Sequence, residues 1–139
     1  MKFLDANILI YACFVPRSAL TSKEKYLKAK SQAILQRVDE GETVAISVVH
    51  LSEVSNVLRR CFSGQDTAAL LESLYTKLNV HILDVGQHDY LTAVHISKTT
   101  NVKINDCLAT FLMKREHISE IYTFDQEFTK FKWIKVIRE

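Results

Sequence analysis

Glycine and proline are scarce in this chain of 139 residues, which contains three glycines and one proline. Because these residues punctuate turn-rich β folds, their scarcity favours long helices over an all-β architecture. The chain also lacks a large charge excess: its formal net charge is +2, which does not by itself indicate a nucleic-acid partner. With 47% hydrophobic and 24% charged residues, the composition is typical of one globular domain, which we expect to span residues 1–139.

Long apolar segments are missing as well. The uninterrupted apolar segment over residues 8–15 is too short to cross a bilayer. Asp5 and Asn7 interrupt the N-terminal apolar stretch, which argues against a secretory signal peptide. We therefore expect a cytoplasmic protein that does not use a membrane.

The cysteines and histidines do not form a known site. The three cysteines are Cys13, Cys61 and Cys107. Because they are odd in number, far apart and in apolar surroundings, we interpret them as buried hydrophobic residues in a reducing compartment. None of the five histidines has the spacing of a zinc motif, and we expect His50, His88 and His95 at surface or capping positions. The chain also has no Ser/His/Asp arrangement, no Cys/His pair and no glycine-rich phosphate loop.

Short β-like segments alternate with helical segments along the chain. The pattern predicts strands over residues 2–5, 43–47, 80–84, 120–124 and 132–137. It predicts helices over residues 7–14, 22–41 with Ser22 as N-cap, 48–62, 66–78, 87–99 and 104–116. Strands separated by helices imply a parallel sheet with right-handed crossovers. We therefore predict an α/β fold: a three-layer α/β/α domain with a mostly parallel sheet of about five strands.

Acidic residues occur where a buried strand or helix would not be expected to carry them. Asp5 ends the first predicted strand, and N-capping of the next helix is its alternative role. On a helical wheel, Glu53 lies in a row with Val49 and Val57 at the edge of an apolar arc, so it should point towards the sheet. Its alternative is an outward orientation or a pair with Arg60. A buried carboxylate is costly unless it is paired or bound to a metal.

Two further acids lie at the starts of turns or helices. Asp106 opens a strongly apolar helix, where a capping role is the alternative. Asp125 directly follows the fourth predicted strand, and Thr123 should face the same side of that strand. A turn or N-cap is the alternative for Asp125. Glu127 lies close enough in sequence to reach the same place.

In a doubly wound sheet these positions converge on one edge, where open α/β folds bind their ligands. Several carboxylates that meet there cannot all remain ionised without a counter-charge. Oxygen ligands with few histidines select Mg²⁺ or Mn²⁺ rather than zinc. The sequence therefore predicts a site for a hard divalent cation.

The acidic motifs resemble, in order and spacing, those of PIN domains, and especially the toxin nucleases of VapBC toxin–antitoxin systems. The matching segments are residues 5–7, Glu53, residues 105–109 and residues 123–128. The resemblance covers essentially the whole chain and implies a metal-dependent endoribonuclease. It implies catalytic and metal-binding roles for four residues, namely Asp5, Glu53, Asp106 and Asp125. It further implies that Asn7 and Thr123 orient these ligands and that Glu127 is an accessory acid.

The resemblance also implies an RNA substrate, a homodimer and, for the toxin branch, inhibition by a small antitoxin. Arg59, Arg60 and Lys103 are candidates for holding the RNA backbone. One departure from the family concerns packing: Phe111, Leu112 and Met113 are bulky where small residues are usual.

Two other functions compete with the nuclease. A PIN-like module that binds RNA or protein without cutting would not need repelling carboxylates. A receiver-like regulatory domain also clusters acids at the sheet edge. That domain would not need Glu53 on a helix face, and no lysine of this chain is placed at a late strand end, as that domain would need.

Overall fold

A five-stranded sheet runs through the centre of the molecule in the computed structural model, which describes residues 1–139. The strands are β1 (Lys2–Leu4), β2 (Val44–Ser47), β3 (Val80–Leu83), β4 (Glu120–Tyr122) and β5 (Lys135–Ile137). Their spatial order is β3-β2-β1-β4-β5, and every neighbouring pair is parallel. The predicted α/β architecture is confirmed.

Helices connect the strands. They are α1 (Ala6–Cys13), α2 (Ser22–Asp39), α3 (Val48–Leu58), α4 (Gly64–Tyr75), α5 (Gln87–Thr100) and α6 (Ile104–Arg115). A short 3₁₀ helix (Gln126–Lys130), which the sequence pattern did not predict, lies between β4 and β5. None of the six helices has the length and apolarity needed to cross a membrane.

The alternation of side chains along the strands creates two hydrophobic cores, one on each face of the sheet. Leu4 packs with α1, α2, α3 and α4 on one face, whereas its neighbour Phe3 packs with α5 and α6 on the other. Both side chains are fully buried. The sheet is therefore the middle of three layers.

Helix α6 belongs to the second core. Leu112 and Met113 are fully buried there, and Phe111 is half-buried against the same cluster. The bulky residues that depart from the resemblance are therefore accommodated in the packing between α6, α5 and the sheet.

All six helices differ from their predicted boundaries, and the largest differences lie in α2, α3 and α4. Thr21, not Ser22, caps α2, because its hydroxyl accepts from the Glu24 N–H in a capping box. Helix α3 ends at Leu58 instead of continuing to residue 62, and α4 begins at Gly64 rather than residue 66. Helix α4 begins early because Ser63 caps it: the Ser63 hydroxyl accepts from the Asp66 N–H.

Two burial predictions were wrong. The helix predicted over residues 66–78 would carry Leu78 on its apolar stripe, but α4 ends at Tyr75 and the Leu78 side chain is 98% exposed. Cys13 and Cys61 are half-buried at the rim of the first core, and only Cys107 is fully buried. All three cysteines are free thiols.

Candidate functional site

The strand order places a crevice between the carboxyl ends of β1 and β4. The chain runs from β1 through β2 to β3 on one side and returns to β4 on the other. This reversal is the topological switch point at which open α/β sheets bind ligands. Asp5 follows β1 directly, and Thr123 and Asp125 follow β4, so three of the predicted residues lie at the crevice.

An acidic cavity of ≈ 500 Å³ lies at this point. Its walls come from the ends of β1 and β4, from α3, and from the segment that joins α5 to α6. The lining residues are Asp5, Asn7, Glu53, Ser97, Asn101, Val102, Lys103, Ile104, Asn105, Asp106 and Asp125. Four carboxyl groups separated by up to 120 positions in the sequence thus share one cavity, in which Lys103 is the only basic residue.

Asp5 is the most buried of the four acids, with 4% of its surface exposed. It occupies the N-cap position of α1, but its side chain makes no capping hydrogen bond. Instead, Asp5 Oδ2 accepts from the hydroxyl of Thr123 at 2.6 Å. Burial raises the pKa of Asp5 to about 6; the Thr123 hydrogen bond opposes this shift, and the charge of Glu53 adds to it. Asp5 therefore occupies the capping position, but its side chain is held by Thr123, from the neighbouring strand end.

Asp106 has no partner for one of its oxygens. Its Oδ2 is buried and makes no hydrogen bond. The N-cap of α6 is Lys103, so Asp106 does not cap this helix either. Burial, reinforced by the charges of Asp5 and Asp125, raises the pKa of Asp106 to about 7, although Lys103 works in the opposite direction. An unsatisfied buried carboxyl group is costly, and its cost indicates a role other than stability.

The other two acids are less constrained. Glu53 is half-buried rather than buried, but it does face the cavity from α3, as its helical row predicted. Asp125 caps the 3₁₀ helix, because its Oδ1 accepts from the Glu127 N–H at 2.9 Å. The N–H of Asp125 donates to the Thr123 hydroxyl at 3.0 Å. The capping alternative therefore holds for Asp125, which nevertheless lines the cavity.

His50 contacts the backbone of Asn105, which lines the cavity. The prediction of a surface or capping position for His50 was wrong. His50 is 1% exposed. Its Nε2 lies 3.0 Å from the backbone oxygen of Asn105, and its Nδ1 lies 2.6 Å from Ser47 Oγ. Because a carbonyl only accepts, we assign the proton to Nε2 and let the Ser47 hydroxyl donate to Nδ1. Burial lowers the pKa of His50 to about 4, so the ring is neutral and holds the residue that precedes Asp106.

Not every predicted residue reaches the cavity. Glu127 does not line it; its Oε2 lies 2.7 Å from Lys130 Nζ. Arg59 points away and donates to the Phe62 carbonyl at 3.0 Å. Arg60 lines a separate groove with Tyr11 and Phe14. Of the three predicted basic residues, only Lys103 lies at the cavity.

Another basic residue was missed. Lys23, at the start of α2, lines a second cavity that shares Asn7 and Asp125 with the acidic one. The lysine cluster of α2 is visible in the sequence, but nothing in its spacing shows that one lysine meets the end of β4. That meeting depends on how α2 packs across α1.

The donor set fits a hard divalent cation, because it consists of carboxylate and amide oxygens without histidine or cysteine. The unpartnered Oδ2 of Asp106 and the raised pKa values of Asp5 and Asp106 are properties that a cation-binding site would have. However, no group of three or more His, Cys, Asp or Glu side chains is arranged so that it could hold a metal ion as it stands. A cation bound by these carboxylates would offset their mutual repulsion.

One family model matches the chain. The model of the PIN domain matches residues 2–134. No match is found among curated protein sequences.

Solved structures share the fold at low sequence identity. VapC20 of Mycobacterium tuberculosis is described as a toxin that cleaves the sarcin–ricin loop. It has a TM-score of 0.74 at 17% identity, and the superposition covers 100% of this chain and 100% of that one. A toxin–antitoxin complex from Klebsiella pneumoniae has a TM-score of 0.66 at 18% identity, covering 99% of this chain and 96% of that one. VapBC2 of Rickettsia felis, bound to promoter DNA, has a TM-score of 0.63 at 17% identity, with coverage of 98% and 96%. At these identities the similarity establishes the fold.

Proposed function

Because the chain belongs to the PIN domain family, we propose that it is a divalent-metal-dependent endoribonuclease that hydrolyses RNA phosphodiester bonds as the toxin of a toxin–antitoxin pair. The observation that carries this proposal is the meeting of Asp5, Glu53, Asp106 and Asp125 around one cavity at the switch point of the sheet. The structures described as toxins or toxin–antitoxin complexes support the biological role.

The residues of the site have different roles. The four carboxylates would hold Mg²⁺ or Mn²⁺, while the Thr123 hydroxyl fixes Asp5 and the His50–Asn105 hydrogen bond fixes the start of α6. When bound, the ion supplies the positive charge that polarises a phosphodiester and lowers the pKa of water. Asn7 lies at the cavity wall, where its amide would orient a ligand or the substrate. Glu127 is assigned no direct role, because it is paired with Lys130.

An apolar groove next to the site is a candidate surface for the antitoxin. It is lined by Ile10, Tyr11, Phe14, Leu20, Glu24, Lys28, Val57 and Arg60. Tyr11 also lines the cavity that contains Lys23 and Asp125, so a protein segment in this groove would lie beside the acids. Apolar grooves with a charged rim are typical protein-docking surfaces. The expected homodimer, the cytoplasmic location and the one-domain organisation stay predictions.

The proposal is tested with a defined RNA panel incubated with Mg²⁺, Mn²⁺ or EDTA. We expect endonucleolytic cleavage with either ion and none with EDTA, because the carboxylates cannot act on a phosphodiester without a cation between them. Cleavage that persists in EDTA would contradict the metal-dependent mechanism.

A non-cleaving binding module is the second candidate, and one observation favours it: the acids do not form a ready-made metal cluster. RNA that binds but remains intact with every ion would support this candidate against the nuclease.

Lys103 should contact an RNA phosphate, because it is the only basic residue at the acidic cavity. We expect Lys103→Ala to weaken binding of all RNA sequences to a similar degree and to reduce the slope of log Kd against log salt by about 1. The matched control is Arg59→Ala, since Arg59 is exposed but turned towards Phe62. An equal change of slope in both variants would remove Lys103 from the binding surface.

A further inference from the structure

A groove separate from the acidic cavity lies along α3 and has a volume of ≈ 380 Å³. We call it the side groove; its lining residues are Val48, Val49, Ser52, Glu53, Asn56, Val57, Tyr90 and Asn105. Glu53 and Asn105 also line the acidic cavity, so the two spaces are adjacent. A polymer whose backbone lies at the carboxylates would therefore place its next group in the side groove.

The chemistry of the side groove is unlike that of the acidic cavity. Valines form its walls, and the ring of Tyr90, which is 40% exposed, faces it from α5. Ser52 and Asn56 are exposed on the same stretch of α3 and bring a hydroxyl and an amide to it. The groove contains no lysine or arginine. A phosphate would find no positive charge there, whereas a flat, uncharged and partly polar group would find an aromatic surface and hydrogen-bonding partners.

These properties match those of a nucleobase. Proteins that bind single-stranded RNA stack its bases on aromatic side chains and read their edges with polar groups. An asparagine amide offers a donor and an acceptor side by side, as the edge of a base requires. A volume of ≈ 380 Å³ exceeds what one base needs and accommodates its ribose as well.

We propose that the side groove binds the base of the nucleotide next to the scissile phosphate, with Tyr90 as its stacking surface and Asn56 as the residue that selects the base. This inference rests on the proposed function, because it takes the acidic cavity as the place where the phosphodiester is cut. Tyr90 and Asn56 are specificity-determining residues that contribute through substrate binding.

The first test uses an RNA from the cleaved panel whose cleavage position has been mapped. We expect Tyr90→Ala to raise KM and lower kcat/KM on the order of tenfold. Tyr90→Phe, which keeps the ring and loses only the hydroxyl, should lower kcat/KM much less than Tyr90→Ala does. Asn56→Ala should relax the preference for the base beside the cut. The matched control is Tyr75→Ala, because Tyr75 is 59% exposed on α4 and lines neither space.

A second readout does not depend on activity. A 2-aminopurine placed beside the mapped cleavage position reports stacking by the loss of its fluorescence. With the Asp106→Asn variant, whose RNA should stay intact, we expect quenching on binding. The quenching should disappear when Tyr90→Ala is added and remain when Tyr90→Phe or Tyr75→Ala is added.

The outcomes separate this inference from the function on which it rests. If the wild-type protein cleaves no RNA, both the proposed function and the side-groove inference are overturned. If it cleaves and Tyr90→Ala behaves like Tyr75→Ala in both assays, only the side-groove inference is overturned. The inference is equally overturned if Tyr90→Ala changes the oligomeric state in sedimentation velocity while the quenching is unchanged, because the groove then contacts a second copy of the chain.

Discussion

Replacing Asp106 with asparagine should abolish RNA cleavage and, in the absence of metal, make the protein more stable. We expect kcat/KM to fall by more than about 100-fold, since removing even the outer partners of a metal ligand usually costs 10- to 100-fold. We expect the metal-free Tm at pH 8 to rise by about 3 °C, the shift that about 1 kcal/mol produces in a domain of this size.

The physical reason is the same for both effects. The buried Oδ2 of Asp106 has no hydrogen-bond partner, and the charges of Asp5 and Asp125 raise the pKa of the group to about 7. An amide removes the charge that a cation needs, and it also removes the repulsion and most of the desolvation cost. We use the lower end of the usual range of 1–3 kcal/mol for an unsatisfied polar group, since the side chain is partly exposed.

Cleavage assays and thermal melts in EDTA check this prediction. Asp84→Asn is the matched control, because Asp84 is exposed and does not line the acidic cavity. It should change neither activity nor Tm. If Asp106→Asn destabilised the protein and retained activity, Asp106 would be a structural residue and our account of the site would be wrong.

Stability should also depend on pH in a direction opposite to that of ordinary surface acids. The pKa of Asp5 is raised from 3.8 to about 6, and that of Asp106 from 3.8 to about 7. The folded state therefore binds more protons than the unfolded state between these values. The resulting stability is complete below pH 4 and is lost as the pH rises through 6 and 7.

The size of the effect follows from the shift of Asp5. A shift of this size corresponds to about 3 kcal/mol, which is worth on the order of 10 °C in Tm. The test compares the metal-free wild type with Asp5→Asn at each pH, so that the titrating groups outside the acidic cavity cancel. We expect the Tm of the variant minus the Tm of the wild type to increase as the pH rises from 4 to 8.

Mn²⁺ should restore the stability that the protein loses as the pH rises. An ion that binds only the folded state stabilises it by about 2.7 kcal/mol at a concentration of 100 times Kd. Because protons compete for the same carboxylates, the rise in Tm should be large at pH 8 and small at pH 5. An equal rise at both pH values, or the same rise in Asp5→Asn, would show that Mn²⁺ binds elsewhere.

The sequence was sufficient to predict the strands and the convergence of the acids, since both depend on local patterns. The alternation of Phe3 and Leu4 between two faces, and the row formed by Val49, Glu53 and Val57, follow from strand and helix periodicity alone. Because Asp5 and Asp125 follow strands of a parallel sheet, both lie at the edge formed by the carboxyl ends of the strands.

What could not be predicted depends on tertiary contacts. The Thr123–Asp5 hydrogen bond joins residues 118 positions apart, and the His50–Asn105 bond joins residues 55 apart. His50 does share a helical stripe with Val54 and Leu58, a pattern that indicates burial. Lys23 and Tyr90 reach their cavities only through the packing of α2 and α5, about which their own sequence neighbourhoods contain no information.

Diffraction from a crystal soaked in Mn²⁺, recorded at a wavelength where manganese scatters anomalously, tests the joint binding of one cation by the four acids most directly. Our account predicts an anomalous peak in the acidic cavity, in contact with the carboxylates of Asp5 and Asp106, and no such peak in a crystal of Asp106→Asn. A wild-type crystal whose manganese peaks all lie outside this cavity would contradict it.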